Sequence, residues 1–403
     1  MNVIDPNMRM IEVEYDPFAS SVVRSFPTTD AQREIWLATE LGSEASLAYN
    51  ESVSLIMRGA LNVPALQDAL NALVARHEAL RATFDSEGAT MLIASDVAVG
   101  IDVIDLASAD QTARDSRLAE IRNEAVQTPF DLTNGPLLRA VLVRTAPDAH
   151  EFILTAHHIV VDGWSCGIIS RDLMSLYKLT SIAQPASLSA PDSFGDYAMS
   201  MHDPEQVRAT EADEQYWVGV FDRRQPVLDL PTDQARGRQR SFASRRIDHL
   251  LPPKLVDAAR QLGAKNGVSL FATLFGIFAA MLERLGGEGE VVLGVPAAGQ
   301  STRGLDALVG HCVNVLPVRV TADRKEPVAT LLKHAGGRIL DAYDHQNCTF
   351  GQLLTKLNVP REANRLPLVS VLFNIDAPIS PEMLSLDGLD VSLRSIPRVA
   401  ENF

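Results

Sequence analysis

The chain has 403 residues, a length that predicts two domains or two lobes rather than one small module. Hydrophobic residues make up 46% of the chain and charged residues 22%, which excludes an intrinsically disordered or fibrous protein. The formal net charge of -15 argues against a nucleic-acid partner, because phosphate contacts need clustered lysine and arginine.

Apolar spacing alternates between strand and helix periods along the chain, which predicts an α/β (α+β layered) fold class. Near the start, Thr29 and Gln32 form a capping box that opens a helix running to about Glu40. The other elements predicted for the first half are helices at 63–74, 106–126 and 164–179 and strands at 137–143 and 151–156.

The stretch 180–192 is rich in Ser, Ala and Pro and is predicted to be a linker. Beyond it we predict helices at 194–221, 253–264, 268–285 and 327–342, and strands at 245–250, 290–295, 312–320, 366–375 and 389–393. The two halves are similar in make-up, which predicts an N-terminal linker (1–25), an N-terminal lobe (26–180) and a C-terminal lobe (181–403).

The cysteine content and the hydropathy of the sequence indicate where in the cell the protein resides. The three cysteines lie far apart without C-x-x-C spacing, which excludes a disulfide scaffold or a zinc ribbon and favours a reducing compartment. The longest apolar stretch, 268–282, is shorter than the roughly 17–25 residues of a membrane span, so we predict a buried helix there. No signal peptide is recognisable in residues 1–27. These features predict a cytoplasmic (bacterial) protein with no membrane partner.

Common catalytic motifs are scarce. The sequence has no phosphate-binding G-x-x-x-x-G-K, no G-x-G-x-x-G and no H-E-x-x-H. One G-x-S-x-G surrounds Ser165, but a hydrolase elbow needs its acid and histidine later in the chain. Here Asp162 and two histidines precede the serine, so the hydrolase interpretation is disfavoured.

The informative segment contains two adjacent histidines, His157 and His158, followed by Asp162 and Gly163. Successive strand residues face opposite sides, so one histidine should face a cavity while packing or a backbone hydrogen bond holds the other. The same divergence argues against a metal site, which needs convergent ligands. Imidazole, with a pKa of about 6.5, is suited to accept a proton. Asp162 could cap the next helix or pair with an arginine, and Gly163 allows close backbone approach.

This segment resembles the signature of the condensation domains of nonribosomal peptide synthetases. Further segments resemble other motifs of the family in the same order along the chain: 29–37, 76–84, 129–139, 194–198, 215–217, 309–314, 345–346 and 361–368. The match runs over nearly the whole chain from about Phe26, and on it the chain is identified as a member of this family.

The resemblance implies two chloramphenicol-acetyltransferase-like lobes that form a V-shaped pseudo-dimer, with the active site in a tunnel between them. It also implies an acyltransferase that joins an acyl thioester on an upstream carrier protein to the amine of an aminoacyl group on a downstream carrier. The expected partners are these carrier proteins and neighbouring synthetase domains. No cofactor is expected to bind directly, since the substrates arrive on phosphopantetheine arms, and no metal is expected.

The resemblance also assigns roles to residues. His158 is the expected catalytic residue, and it deprotonates or orients the acceptor amine. His157 and Asp162 are expected to be structural, Asp162 through an ion pair for which Arg81 is the first candidate and Arg76 the second. Gly163 belongs to the same site. The candidate tunnel-lining residues are Trp164, Ser165 and Asn314, and a turn or strand-end role is equally open for Asn314.

Two departures from the family pattern stand out. Glu362 and Ala363 or Asn364 occupy positions where the seventh motif usually carries Asp and Ser. The chain also stops at Phe403, where the family normally continues into further strands and a helix, so we expect a truncated C-terminal lobe whose activity is open.

More than one activity is compatible with the two histidines. An epimerization domain shares them but needs a second acid or base, which the spacing does not identify. An ester-forming acyltransferase and an inactive docking platform are also open. A cyclization domain is disfavoured, because that branch replaces the histidines with acids.

Several segments resemble condensation domains that follow polyketide modules, in which the upstream carrier presents a polyketide acyl chain. These segments are 16–19, 41–42, 48–52, 310–314 and 366–371. The resemblance implies a polyketide donor and a donor channel lined by apolar side chains.

Overall fold

The computed structural model describes residues 22–222, 225–357, 359, 364–376, 384, 386 and 388–402. Segment 16–19, most of the predicted linker 1–25, and Glu362 and Ala363 of the seventh motif lie outside the described residues.

The first half of the chain alternates short strands and longer helices. Its elements are β1 (Val22–Pro27), α1 (Asp30–Thr39), α2 (Ser43–Leu47), β2 (Asn50–Gly59), α3 (Val63–Arg76), a 3-10 turn (Glu78–Arg81), β3 (Ala82–Phe84), β4 (Thr90–Ala94), β5 (Ile101–Asp105), α4 (Gln111–Gln127), β6 (Leu138–Ala146), β7 (Ala149–His157) and α5 (Gly163–Ser181).

The second half is mostly helical. Its elements are α6 (Phe194–Ser200), α7 (Pro204–Phe221), α8 (Pro253–Lys265), α9 (Leu270–Gly286), β8 (Glu290–Ala298), α10 (Gly299–Thr302), β9 (Val313–Thr321), α11 (Val328–Asp344), α12 (Phe350–Leu357) and β10 (Leu389–Ser395).

The predicted start of α1 is confirmed in atomic detail. The Gln32 backbone N–H donates to the Thr29 hydroxyl at 3.2 Å, and the Thr29 backbone N–H donates to Gln32 Oε1 at 3.2 Å. The helix predicted at 106–126 begins later than expected, because residues 101–105 form β5 and Asp110 caps the helix by accepting a hydrogen bond from the Ala113 N–H.

Three predictions for the second half are wrong. The single helix predicted at 194–221 is two helices, because Pro204 stands at the first position of α7 and starts a new helix there. Residues 245–250, all of them described, form no strand, and Ile247 is 86% exposed. Within the described residues of 366–375 only an isolated bridge forms, between Leu372 and Gly294.

Two of the three hydrophobic clusters of described residues support separate sheets. In the first, α3 and α5 pack on a five-stranded sheet of order β10-β2-β7-β6-β5, in which β7 is central. In the second, α9 and α11 pack around the two-stranded β8-β9 sheet. A three-stranded sheet of order β1-β4-β3 completes the first half. Both cores contain the mixed α and β layers that the apolar spacing predicts.

The last strand lies outside the core of the predicted C-terminal lobe (181–403). β10 pairs antiparallel with β2, from Leu389 opposite Gly59 to Ser395 opposite Val53. Leu389 and Val391 are buried while Asp390 and Ser392 are exposed, the alternation of an edge strand with one face on a core. The end of the chain therefore adds a strand to the sheet that carries the paired histidines.

Helix length and composition bear on membrane insertion. Within the described ranges no single helix is long and apolar enough to cross a membrane. Taken together, the helices Pro253–Lys265 and Leu270–Gly286, which meet at a bend of 101°, satisfy the length and composition criterion for a span.

Candidate active site

The paired histidines lie where the central strand β7 ends. The His157 N–H donates to the Leu137 carbonyl at 3.1 Å, and the His158 N–H donates to the Tyr49 carbonyl at 2.8 Å. The backbone on both sides of β7 thus holds the turn that follows. The two rings diverge: His157 is completely buried, whereas the side chain of His158 is 19% exposed.

His157 is enclosed by protein. Its Nδ1 accepts a hydrogen bond from the Ile159 N–H at 3.2 Å, and its ring lies 6.1 Å from that of Tyr49 and 6.0 Å from that of Phe130. Burial, with smaller contributions from His158 and Arg139, lowers the pKa of His157 to about 3. The ring is therefore neutral at physiological pH.

This neutral ring predicts an acid sensitivity of the fold. In the unfolded chain His157 binds a proton below about pH 6.5, but in the folded protein it does so only near pH 3. Its contribution to stability is thus complete above pH 6.5 and is lost as the pH falls toward 3. In His157→Gln the loss of stability between pH 7.5 and 5 should be smaller than in wild type by about 2 kcal/mol. Urea unfolding at both pH values measures this difference.

The exposed residue His202 supplies the control for this experiment. His202→Gln should keep the wild-type difference between the two pH values. An equal loss of stability in His157→Gln and wild type would contradict the neutral, buried state of His157.

His158 is contacted at both ring nitrogens. Its Nε2 lies 3.2 Å from Glu51 Oε1, and its Nδ1 lies 3.1 Å from His311 Nδ1. The two imidazole rings are nearly perpendicular, at 82°. Burial, together with His158 and His157, lowers the pKa of His311 well below its ordinary value.

Glu51 and His311 are site residues that sequence reasoning missed. The strand pairing that places Asn50 opposite His157 also brings Glu51 to this end of β7. Knowledge of this strand pairing would have identified Glu51 as a site residue, but the register of β2 against β7 cannot be read from the sequence.

Asp162 caps α5 and is completely buried. Its Oδ1 accepts hydrogen bonds from the Ser165 N–H at 2.8 Å and the Ser165 hydroxyl at 2.7 Å. Its Oδ2 accepts from Gln300 Nε2 at 2.8 Å and from the Cys312 N–H at 3.0 Å. These hydrogen bonds connect the start of α5 to Gln300 in α10 and to Cys312, which directly precedes β9.

The predicted ion pair of Asp162 with an arginine is wrong. Among the described residues, the hydrogen-bond donors to the Asp162 carboxylate are the N–H and hydroxyl of Ser165, the Gln300 amide and the Cys312 N–H. The Arg81 guanidinium instead donates to the carbonyls of Val74 at 3.1 Å and of Ala94. Arg81 is therefore a structural residue of the loop after α3, away from Asp162.

Arg76, the second candidate, pairs with a different acid. Its Nε lies 2.8 Å from Asp172 Oδ2, and Asp172 follows Asp162 by ten positions, about 15 Å along a helix. Although burial acts to raise it, hydrogen bonds from His77, Arg76 and Arg171 hold the pKa of Asp172 at about 2. Because α3 packs along α5, its last residue meets the middle of α5 rather than its N-terminus.

The remaining site candidates separate into buried and exposed residues. Ser165 is buried, and its hydroxyl also lies 2.9 Å from the Gly310 carbonyl and accepts from the Gly310 N–H at 3.0 Å, so the prediction that it lines a tunnel is wrong. Trp164 is 39% exposed. Gly163 is exposed, and a Cβ added there would lie within 4 Å of no described atom apart from its chain neighbours and the backbone of its own helix. Space is therefore open beside Gly163.

Asn314 has a strand-end role. Its Nδ2 donates to the carbonyls of Gln346 at 3.0 Å and Cys348 at 2.7 Å, and its Oδ1 accepts from the Phe350 N–H at 3.1 Å. The side chain thus fastens the start of β9 to the segment before α12. Within the described ranges no group of three or more His, Cys, Asp or Glu side chains could hold a metal ion.

The segment after β7 thus carries a partly exposed imidazole, His158, and a buried, hydrogen-bonded aspartate, Asp162. Comparison with known proteins decides the family. The condensation-domain family model matches residues 22–402. The chain belongs to the condensation-domain family. Condensation domains are acyltransferases that form amide bonds in nonribosomal peptide synthesis. The family and enzyme class predicted from the sequence are confirmed.

Relatives among characterised proteins are much longer than this chain. A linear gramicidin synthase polypeptide of Brevibacillus parabrevis is 32% identical over 374 residues, which cover 91% of this chain and 7% of that protein. Surfactin synthase subunit 2 of Bacillus subtilis (strain 168) is 31% identical over 369 residues, which cover 91% of this chain and 10% of that protein. The chain therefore spans about a tenth or less of the length of these relatives.

Solved structures show the fold. The first condensation domain of the calcium-dependent antibiotic synthetase, in complex with a substrate analogue, has a TM-score of 0.78 and 22% identity, covering 94% of this chain and 86% of that one. The condensation domain of the Monacolin K polyketide synthase has a TM-score of 0.79 and 20% identity, covering 94% and 88%. The predicted fold class, the chloramphenicol-acetyltransferase-like α/β fold, is confirmed.

Proposed function

We propose that this chain forms an amide bond between an acyl group on an upstream carrier protein and the amine of an aminoacyl group on a downstream carrier. The observation that supports this proposal is the contrast in exposure at the end of β7. His158 is 19% exposed on its side chain, while His157, Asp162 and Ser165 are completely buried. At this turn His158 is thus the ionisable side chain that a substrate could contact, and the others hold it in place.

In the proposed reaction the acceptor amine attacks the carbonyl carbon of the donor thioester. The C–N bond forms, and His158 takes a proton from the amine nitrogen. The C–S bond then breaks, and the phosphopantetheine sulfur leaves and takes up the proton. General base catalysis of this kind contributes about 10²–10⁴-fold to the rate. The protein supplies orientation and proton transfer, because aminolysis of a thioester is already downhill.

The other predicted residues have supporting roles in this proposal. His157 and Asp162 are structural, since both are buried and hydrogen-bonded to backbone groups. Gly163 and Trp164 are proposed to line the substrate path, because both are exposed at the start of α5.

Two hydrophobic clusters support the proposed lobes: the first takes most of its residues from 26–177 and also contains residues from 194–198, 308–312 and 384–400, and the second lies within 217–369. The N-terminal lobe and the rest of the chain are joined by the predicted linker 180–192, in which residues 181–187 are exposed. The proposed partners are the two carrier proteins and neighbouring domains of a synthetase, because the relatives named above are many times longer than this chain. A cytoplasmic, bacterial setting stays a prediction.

The donor is proposed to be a polyketide acyl chain. Of the segments that resemble the polyketide-linked subgroup, 310–314 lies at the site, since His311 contacts His158, and 48–52 contains Glu51. One structural neighbour is the condensation domain of a polyketide synthase. Segment 16–19 lies outside the described residues.

The experiment offers equal amounts of acyl-loaded and aminoacyl-loaded upstream carrier together with one aminoacyl-loaded downstream carrier. Mass spectrometry of the downstream carrier should show mainly the acyl-aminoacyl product. Preferential use of the aminoacyl donor would contradict a polyketide donor, and equal product with and without the protein would contradict the condensation activity itself.

A further inference from the structure

Two strands from opposite ends of the chain bring a carboxylate and a guanidinium to His158. On one side β2 pairs with β7, which places Glu51 opposite Ala156. On its other side β2 pairs with β10, and the chain continues past it, with the Ile396 N–H donating to the Ser52 carbonyl at 3.3 Å. Arg398 follows two residues later and reaches the Glu51 carboxylate.

The contacts of Glu51 assign the proton on one nitrogen of His158. Glu51 Oε1 contacts both His158 Nε2, at 3.2 Å, and the Arg398 guanidinium. Arginine stays protonated in proteins, so its partner carboxylate is ionised and can only accept hydrogen bonds. The ionised carboxylate oxygen 3.2 Å away therefore favours a hydrogen, rather than a lone pair, on His158 Nε2.

The contact with His311 assigns the other nitrogen. His311 is buried, and burial holds its pKa well below the ordinary value, so its ring is neutral. A single hydrogen lies between the two Nδ1 atoms, which are 3.1 Å apart. Because neutral His158 already carries its hydrogen on Nε2, its Nδ1 holds the free electron pair and His311 donates to it.

We propose that Glu51 is a positioning residue for His158. This inference rests on the proposed function of His158 as the proton acceptor. The Glu51 carboxylate holds the ring in the Nε2–H form, so that Nδ1 is the atom that accepts the proton of the amine. The incoming amine N–H then replaces the His311 N–H at Nδ1, and His311 turns away or carries its hydrogen on Nε2.

Arg398 holds the carboxylate that contacts His158. Glu51 Oε1 meets His158 Nε2 and the Arg398 guanidinium at once, which keeps the carboxylate ionised beside the ring. His157 on β7 and His311 before β9 are both neutral. Among the described residues Glu51 is therefore the charged side chain in contact with His158, and Arg398 is its partner.

The experiment measures kcat and KM for wild type and Glu51→Gln. In Glu51→Gln kcat should fall at least tenfold while KM for either carrier stays within about twofold, since Glu51 acts through His158.

Glu401 provides the matched control. Its carboxylate also pairs with Arg398, at 2.9 Å, and it is more exposed than Glu51. Glu401→Gln removes a carboxylate from Arg398 without removing the contact to His158, so kcat and KM should stay close to the wild-type values.

Nitrogen-15 NMR of histidine-labelled protein gives a readout that does not depend on turnover. The His158 signals, identified by their loss in His158→Ala, should show the Nε2–H form in wild type and a mixture of both forms in Glu51→Gln. A dominant Nδ1–H form in wild type would overturn the inference. So would a wild-type kcat in Glu51→Gln, while an inactive His158→Ala would leave the proposed function standing.

Discussion

Asp162→Ala is expected to lower the free energy of unfolding by several kcal/mol. The substitution removes the acceptor of three N–H donors, those of Ser165, Gln300 and Cys312, and of the Ser165 hydroxyl. A buried donor left without an acceptor costs about 1–3 kcal/mol. The site is completely buried, so water cannot readily replace the carboxylate. Urea unfolding of wild type and variant measures the difference.

The activity should fall with the stability, because the same carboxylate positions the residues around His158. The Cys312 N–H that binds Asp162 directly follows His311, so losing this bond frees the segment that contacts His158. Asp162→Asn should also be destabilised, since an amide nitrogen would face N–H donors that need an acceptor.

An exposed aspartate gives the matched control for Asp162. The Asp196 side chain is 75% exposed and pairs with Arg24 at 3.2 Å, a surface pair worth about 0–1 kcal/mol. Asp196→Ala should therefore unfold close to wild type. If Asp162→Ala unfolds like wild type yet makes no product, Asp162 takes part in the chemistry and its structural role is refuted.

The contacts of Asp162 show where sequence reasoning reaches its limit. The helix start and the buried aspartate follow from local chemistry, because Asp162 stands directly before a helical apolar pattern. The hydrogen-bond partners of Asp162 do not follow from local chemistry. A buried charge suggests an arginine partner, whereas the actual donors include backbone N–H groups and the Gln300 amide. Backbone donors carry no residue signature, so only the folded chain reveals them.

Strand pairing imposes a similar limit. The apolar alternation of 389–393 predicts a strand, and β10 is present. The pattern cannot name the partner strand, however, because β2 lies more than 300 residues earlier and many alternating segments could pair with it. The contact between Glu51 and Arg398 depends on this pairing, which is why both were missed while His157 and His158, adjacent in sequence, were found.

His158→Ala is expected to remove most condensation activity while leaving the fold intact. The loss should be about 10²–10⁴-fold in kcat, the usual contribution of a general base, with KM for both carriers within about twofold. Stability should change little, because the ring is partly exposed and Glu51 keeps its ion pair with Arg398. Product formation with both carriers loaded, followed by mass spectrometry, measures the rate, and circular dichroism checks the fold.

The size of the residual rate decides how His158 acts. Alignment of the two carrier-bound substrates still accelerates the reaction after the base is gone, so the variant should remain faster than the uncatalysed mixture. A residual rate that rises with pH would indicate that the amine must now lose its proton to solvent, as expected if His158 is the base. A pH-independent residual rate would instead indicate that His158 mainly orients the amine. His202→Ala, the same substitution at an exposed histidine, should retain full activity, and near wild-type turnover by His158→Ala would refute both roles.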